Sequence, residues 1–89
     1  MGKEIIKFEG NNCGACRAME PAWKRFKEKN VGLGIEFKNI NVTEHMELTS
    51  QFEIQAIPTF ISLEEGEEVE RIVGIIPENS LQKLINSLI

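Results

Sequence analysis

The sequence predicts an α/β fold, a four-stranded mixed sheet in the order β-α-β-α-β-β-α, within a single domain over residues 1–89. Three observations carry this reading. A length of 89 residues allows one domain. Short β-rich apolar runs alternate with segments whose apolar residues recur at helical spacing. Glycine and proline fall at the boundaries between them, with no repeat, linker or low-complexity segment.

Within Lys3–Glu9, Ile5, Ile6 and Phe8 form a strand that Gly10-Asn11-Asn12 ends in a loop. From Cys13 to Asn30, Met19, Ala22, Trp23 and Phe26 share one helical face, which places Met19 and Trp23 in the core. Asn30, Gly32 and Gly34 stop that helix. Gly34–Val42 holds Ile35, Phe37, Ile40 and Val42, and the slip in alternation between Phe37 and Ile40 predicts a bulge. Thr43 is placed to cap a short second helix that has Glu44 and Glu47 in its first turn, His45 facing solvent and an end near Phe52.

Ile57–Leu63 is a strand opened by Pro58. Glu64–Glu67 is a solvated turn, and Val69–Val73 is the returning arm of a hairpin. Pro77 suits the first position of a closing helix lined by Leu81, Leu84, Ile85 and Leu88. Strands joined through a helix run parallel, and those of the hairpin antiparallel.

Fourteen acids against ten bases give a net charge of −4, which excludes binding of nucleic-acid backbones by bulk charge. No apolar run approaches the ~20 residues of a membrane span. Met1–Lys7 lacks the apolar core of a secretory signal, and Ile6 stands where N-myristoylation needs Ser or Thr. The expectation is a cytoplasmic monomer without nucleic-acid or membrane partners.

Cys13 and Cys16 are the only cysteines, too few for the disulfide framework of a small secreted domain. Their Cys-x-x-Cys spacing falls where the first strand gives way to the first helix. Unpaired N–H groups and a partial positive charge there stabilise a thiolate at Cys13. Cys16 lies one turn further in, within reach of a mixed disulfide on Cys13. Gly14 and Ala15 are small and leave Cys13 approachable, and Arg17 adds a nearby positive charge. Two other readings of the pair stand beside this one. It is a buried structural pair, or part of a metal carrier, for which only His45 adds an imidazole ligand.

Taken with its context, the motif resembles the thioredoxin family along nearly the whole chain. Cys13-Gly14-Ala15-Cys16 is similar to that family's Cys-Gly-Pro-Cys, with Ala15 in place of proline. Pro21 matches its helix-kinking proline, Ile57-Pro58-Thr59 its cis-proline loop, Glu65-Gly66-Glu67 its hairpin turn, and Val73-Gly74 its glycine near the active site. The resemblance implies a thioredoxin-like fold that lacks the extra N-terminal strand and helix. It implies a dithiol–disulfide oxidoreductase with Cys13 attacking and Cys16 resolving. No bound cofactor is implied beyond a redox-active Cys13–Cys16 disulfide. The implied partners are disulfide-containing proteins and a thioredoxin reductase or another thiol reductant.

The resemblance also implies a substrate groove formed by Asn12, Gly14, Ile57, Pro58, Val73 and Gly74, in which side-chain-free Gly74 leaves room for an extended segment. Asn12 replaces the family's exposed tryptophan. Lys7 replaces its buried aspartate, and is expected partly buried with its ammonium near water, favouring the cysteine thiolates. A glutathione-dependent, glutaredoxin-like reductase is the alternative, disfavoured because Glu53–Ile57 before the proline carries no basic group.

Overall fold

The computed structural model describes residues 2–89. Strand β1 (Lys3–Glu9) leads into helix α1 (Gly14–Ala18) and, after Met19, helix α2 (Glu20–Lys29). Strand β2 (Ile35–Asn41), helix α3 (Met46–Gln51), and strands β3 (Thr59–Glu64) and β4 (Glu67–Val73) follow. A 3-10 turn at Glu78–Leu81 runs into helix α4 (Gln82–Asn86). The strands form one sheet in the order β2-β1-β3-β4, with β1 and β2 parallel and the other pairs antiparallel. This is the mixed sheet that the sequence predicts.

Central β1 alternates its side chains between two apolar layers, as a strand covered on both faces must. Ile5 packs with Met19, Trp23, Phe26, Phe60, Leu84 and Ile85 on the α2/α4 face. Ile6 and Phe8 pack with Ile40, Phe52, Ile61 and Leu63 on the α3 face. Lys7 and Glu9 share the Ile5 face, because side chains two apart on a strand point the same way.

Three expectations are corrected. β2 has no bulge, since its register with β1 runs unbroken from Lys3↔Ile35 to Glu9↔Asn41. The slip in its apolar pattern is a change of face: Ile35 and Phe37 serve one layer, Ile40 and Val42 the other. The irregularity lies in the hairpin, where Leu63 pairs with Glu68 and Ser62 with Glu70, leaving Val69 as the extra residue. Thr43 does not cap α3, because the Asn41 Oδ1 accepts from both its amide (2.9 Å) and its hydroxyl (2.6 Å). That local turn holds the chain until His45, which is exposed and precedes the helix. The third concerns Pro77, which is extended (ψ 143°) and stands one place before the 3-10 turn.

The predicted first helix is two helices. Pro21, in the first turn of α2, has no N–H to continue the ladder, and the chain breaks at Met19. The β3–β4 turn has Glu65 at φ 52° and Gly66 at φ 82°, the pair of positive values that a two-residue hairpin needs. β4 is an edge strand on which Glu67, Glu68 and Glu70 are exposed.

Candidate active site

Cys13 occupies the N-cap of α1 in an extended conformation (φ −107°, ψ 98°) and is partly exposed, whereas Cys16 is buried in the first helical turn. A disulfide joins them, with Cα atoms 5.2 Å apart. The Cys16 amide donates to the Cys13 Sγ at 3.0 Å, and the Arg17 amide donates to the Cys13 carbonyl at 3.1 Å. Helix geometry fixes both donors, so the Cys13 sulfur faces the Cys16 N–H and the Cys13 carbonyl the Arg17 N–H. The Arg17 side chain is exposed and passes 3.9 Å from where a Cβ on Gly14 would stand.

The residues expected to form a groove come together. The Ile57–Pro58 peptide bond is cis, and the Ile57 carbonyl oxygen lies 4.0 Å from the Cys13 Sγ. Across the hairpin, Thr59 pairs with Val73, and the Gly74 amide donates to the Pro58 carbonyl at 2.9 Å. Asn12 and Gly14 flank Cys13 and are exposed. The surface is shallow, with a hollow of about 210 Å³ lined by Val42, Thr49, Ile54, Gln55, Ala56 and Ile57 opening beside Ile57. The expected reason for Gly74 needs revision. A Cβ there would meet nothing within 4 Å, but φ is +96°, so backbone conformation rather than space selects glycine.

Lys7 departs most from expectation. It is not partly exposed but fully buried, at 0%. Its Nζ donates to the Cys16 carbonyl at 3.0 Å and pairs with Glu9 Oε1 at 3.0 Å. The charge is tolerated because it is not unpaired, which is the condition that makes burial costly. The break at Met19 matters here: the Cys16 carbonyl accepts from the Met19 amide at 3.2 Å and has a second lone pair free for Lys7.

Sequence reasoning missed Glu9, although its spacing from Lys7 on one strand face was the available signal. It also missed exposed Ile75 (67%), which follows Gly74, and the link from Trp23 Nε1 to Asn39 Oδ1 at 3.0 Å. Among the described residues, no three His, Cys, Asp or Glu side chains cluster in a way that could hold a metal ion.

Comparison with known proteins agrees with this geometry. The thioredoxin family model matches residues 2–87. Thioredoxin H2-1 of Oryza sativa subsp. japonica is 36% identical over 84 residues, covering 94% of this chain and 59% of the rice protein. Thioredoxin of Mycoplasmoides gallisepticum is 29% identical over 93% of this chain and 81% of its own length. The crystal structure of thioredoxin NaTrxh from Nicotiana alata superposes with a TM-score of 0.84 at 33% identity, covering 98% of this chain and 73% of that one. The chain spans about three-fifths of the length of the rice relative. A family model that matches nearly from end to end, on a fold that sets two cysteines at a helix start beside a cis-proline, places this chain in the thioredoxin family.

Proposed function

We propose that the chain is a dithiol–disulfide oxidoreductase that reduces protein disulfides through Cys13 and Cys16. The observation that carries this is the asymmetry of the pair. Cys13 is the partly exposed sulfur, set against the Cys16 N–H at the helix start and near the Ile57 carbonyl, while Cys16 is buried behind it. In the forward cycle the Cys13 thiolate attacks a substrate disulfide and one substrate thiol leaves. Cys16 then attacks the Cys13 sulfur of the mixed disulfide, the second substrate thiol leaves, and the Cys13–Cys16 disulfide closes.

An extended substrate segment lies along Asn12, Gly14, Ile57, Pro58, Val73 and Gly74, pairing with the backbone beside Pro58. The protein's own disulfide serves in place of a bound cofactor. A thioredoxin reductase or another thiol reductant reopens it, and the cycle runs in the cytoplasm with the chain as a monomer. No helix among the described residues is long and apolar enough to cross a membrane.

Insulin reduction with a dithiol supply tests the reading. Wild type is expected to accelerate it, and Cys13→Ser to abolish the acceleration; equal rates for the two would overturn it. Turnover with NADPH and a thioredoxin reductase, set against turnover with glutathione, identifies the electron donor, and the former is expected to be the faster.

A further inference from the structure

Beneath the cysteines a chain of polar contacts takes no part in the exchange steps above. It begins at the core face of the only tryptophan. Trp23 Nε1 donates to Asn39 Oδ1 (3.0 Å), Asn39 Nδ2 donates to Glu9 Oε2 (3.2 Å), Glu9 Oε1 pairs with Lys7 Nζ (3.0 Å), and Lys7 Nζ donates to the Cys16 carbonyl (3.0 Å). The β1–β2 register sets Lys7 opposite Asn39, so the sheet itself aligns the middle of the chain. Lys7 is fully buried, whereas the Glu9 side chain keeps 28% of its surface in solvent. Burying an ammonium is costly unless its lost hydration is replaced by polar partners, and here one carbonyl and one carboxylate replace it.

We propose that Lys7 and Glu9 are positioning residues for the resolving thiol: Glu9 holds the Lys7 ammonium in place beneath Cys16, and that ammonium stabilises the Cys16 thiolate as it attacks the mixed disulfide. This rests on the oxidoreductase reading. In the step concerned the Cys16 S–H bond breaks and a Cys16–Cys13 S–S bond forms. The bond from Cys13 to the substrate sulfur breaks, and the departing substrate thiolate takes up the proton. No external oxidant or reductant is consumed. The buried cation raises the thiolate fraction of Cys16, and the accompanying loss of nucleophilicity offsets only about half of that gain. The net effect is about three- to tenfold in rate.

Reduced protein mixed with the aromatic disulfide DTNB resolves the two steps. Attack by Cys13 releases a first coloured thiolate, and attack by Cys16 on the remaining adduct releases a second. Lys7→Met keeps the unbranched stem without the charge. It is expected to slow the second release about three- to tenfold and to change the first less than about twofold. Glu9→Gln is expected to slow the second release in the same sense. Because Glu9 acts through Lys7, the double variant is expected to be no slower than Lys7→Met alone.

At a fixed glutathione ratio, Lys7→Met is also expected to be more fully oxidised than wild type, since its reduced form loses thiolate stabilisation. A second release within twofold of wild type in Lys7→Met, or a further slowing in the double variant, would overturn the pair. Should thermal melts show Lys7→Met unfolded, Glu9→Gln at the partly exposed end decides alone, and an unchanged second release overturns the proposal. A wild type that releases no second thiolate would instead overturn the oxidoreductase reading.

Discussion

The Cys16 amide points at the Cys13 sulfur across 3.0 Å, and no comparable backbone donor faces the Cys16 sulfur among the described contacts. The two thiols of the reduced protein are therefore unequal by construction. A fixed N–H at a helix start favours the anion at Cys13. Brief treatment with iodoacetamide near neutral pH is expected to label Cys13 at least about tenfold faster than Cys16, because the thiolate is the nucleophile. Peptide mass spectrometry after quenching reads the ratio, and equal labelling would contradict the assignment.

Gly10 supports the same loop from below. A Cβ at Gly10 would lie 2.7 Å from the Ile57 Cδ1, and Gly10 has no positive φ that would strain an alanine. Gly10→Ala is expected to push the Ile57 side chain aside, because that atom is the free end of a flexible group. The expected loss of stability is about 1–2 kcal/mol, typical of mild overpacking. Turnover of protein disulfides should fall further than turnover of small ones, since Ile57 borders the approach to Cys13. Equal loss on both substrates would show a general loosening of the fold.

Ile75 stands 67% exposed beside Gly74, and Val73 is 47% exposed before it. They supply an apolar rim where Asn12 offers none. Ile75→Ser is expected to raise KM for protein substrates several-fold and to leave reduction of the disulfide by dithiothreitol unchanged. Its melting curve should stay close to wild type, as exposed substitutions usually change stability within about 0.5 kcal/mol. Unchanged KM would remove Ile75 from the substrate surface. Gly74 is the poorer place for this test, because any side chain there meets a φ of +96°.

Arg71 ties the hairpin to the end of α3. It donates to Glu68 at 2.8 and 2.7 Å and to the Phe52 carbonyl at 2.6 Å. Hydrogen bonding and charge from Arg71 hold the Glu68 carboxyl below its ordinary value of 4.5. The folded protein then binds fewer protons here than the unfolded chain, so the stabilisation is present above the ordinary glutamate range and is lost as pH falls through the folded value. Glu68→Gln is expected to cost up to about 1 kcal/mol at neutral pH and less at a pH below the ordinary glutamate range. Urea melts at the two pH values check this; an equal cost at both would assign the effect to packing.

The order of elements and the cysteine pair were legible because local signals carry them. Period-two runs, a helix stop at Asn30 and a two-residue Glu65-Gly66 turn each state their structure within a few residues. What stayed hidden depended on contacts across the sheet. The apolar slip from Phe37 to Ile40 has the same signature whether a strand bulges or changes the layer it serves, and only helices on both faces decide between them. The sequence predicts a half-solvated Lys7 because a lysine in a strand shows no partner in sequence. Its partners are Glu9, which shares its strand face, and the second lone pair of the Cys16 carbonyl, nine residues away and next to a helix break. The break at Met19 follows from Pro21, yet its use by Lys7 emerges only when helix and strand are stacked.

The acids on β4 bear on how copies of the molecule behave when crowded. An edge strand offers unpaired N–H and C=O groups to any other edge, the first contact in strand-to-strand aggregation. Glu67 and Glu70 border that template with like charge beside the paired Glu68 and Arg71, and the extra residue Val69 bends it away from the straight line a second strand would need. A partner edge approaching β4 at neutral pH thus meets repulsion and poor fit together. Protonating the carboxylates leaves only the bend as a guard, so acid storage is where insoluble, sheet-rich deposits should first form, well before the fold's own chemistry is affected.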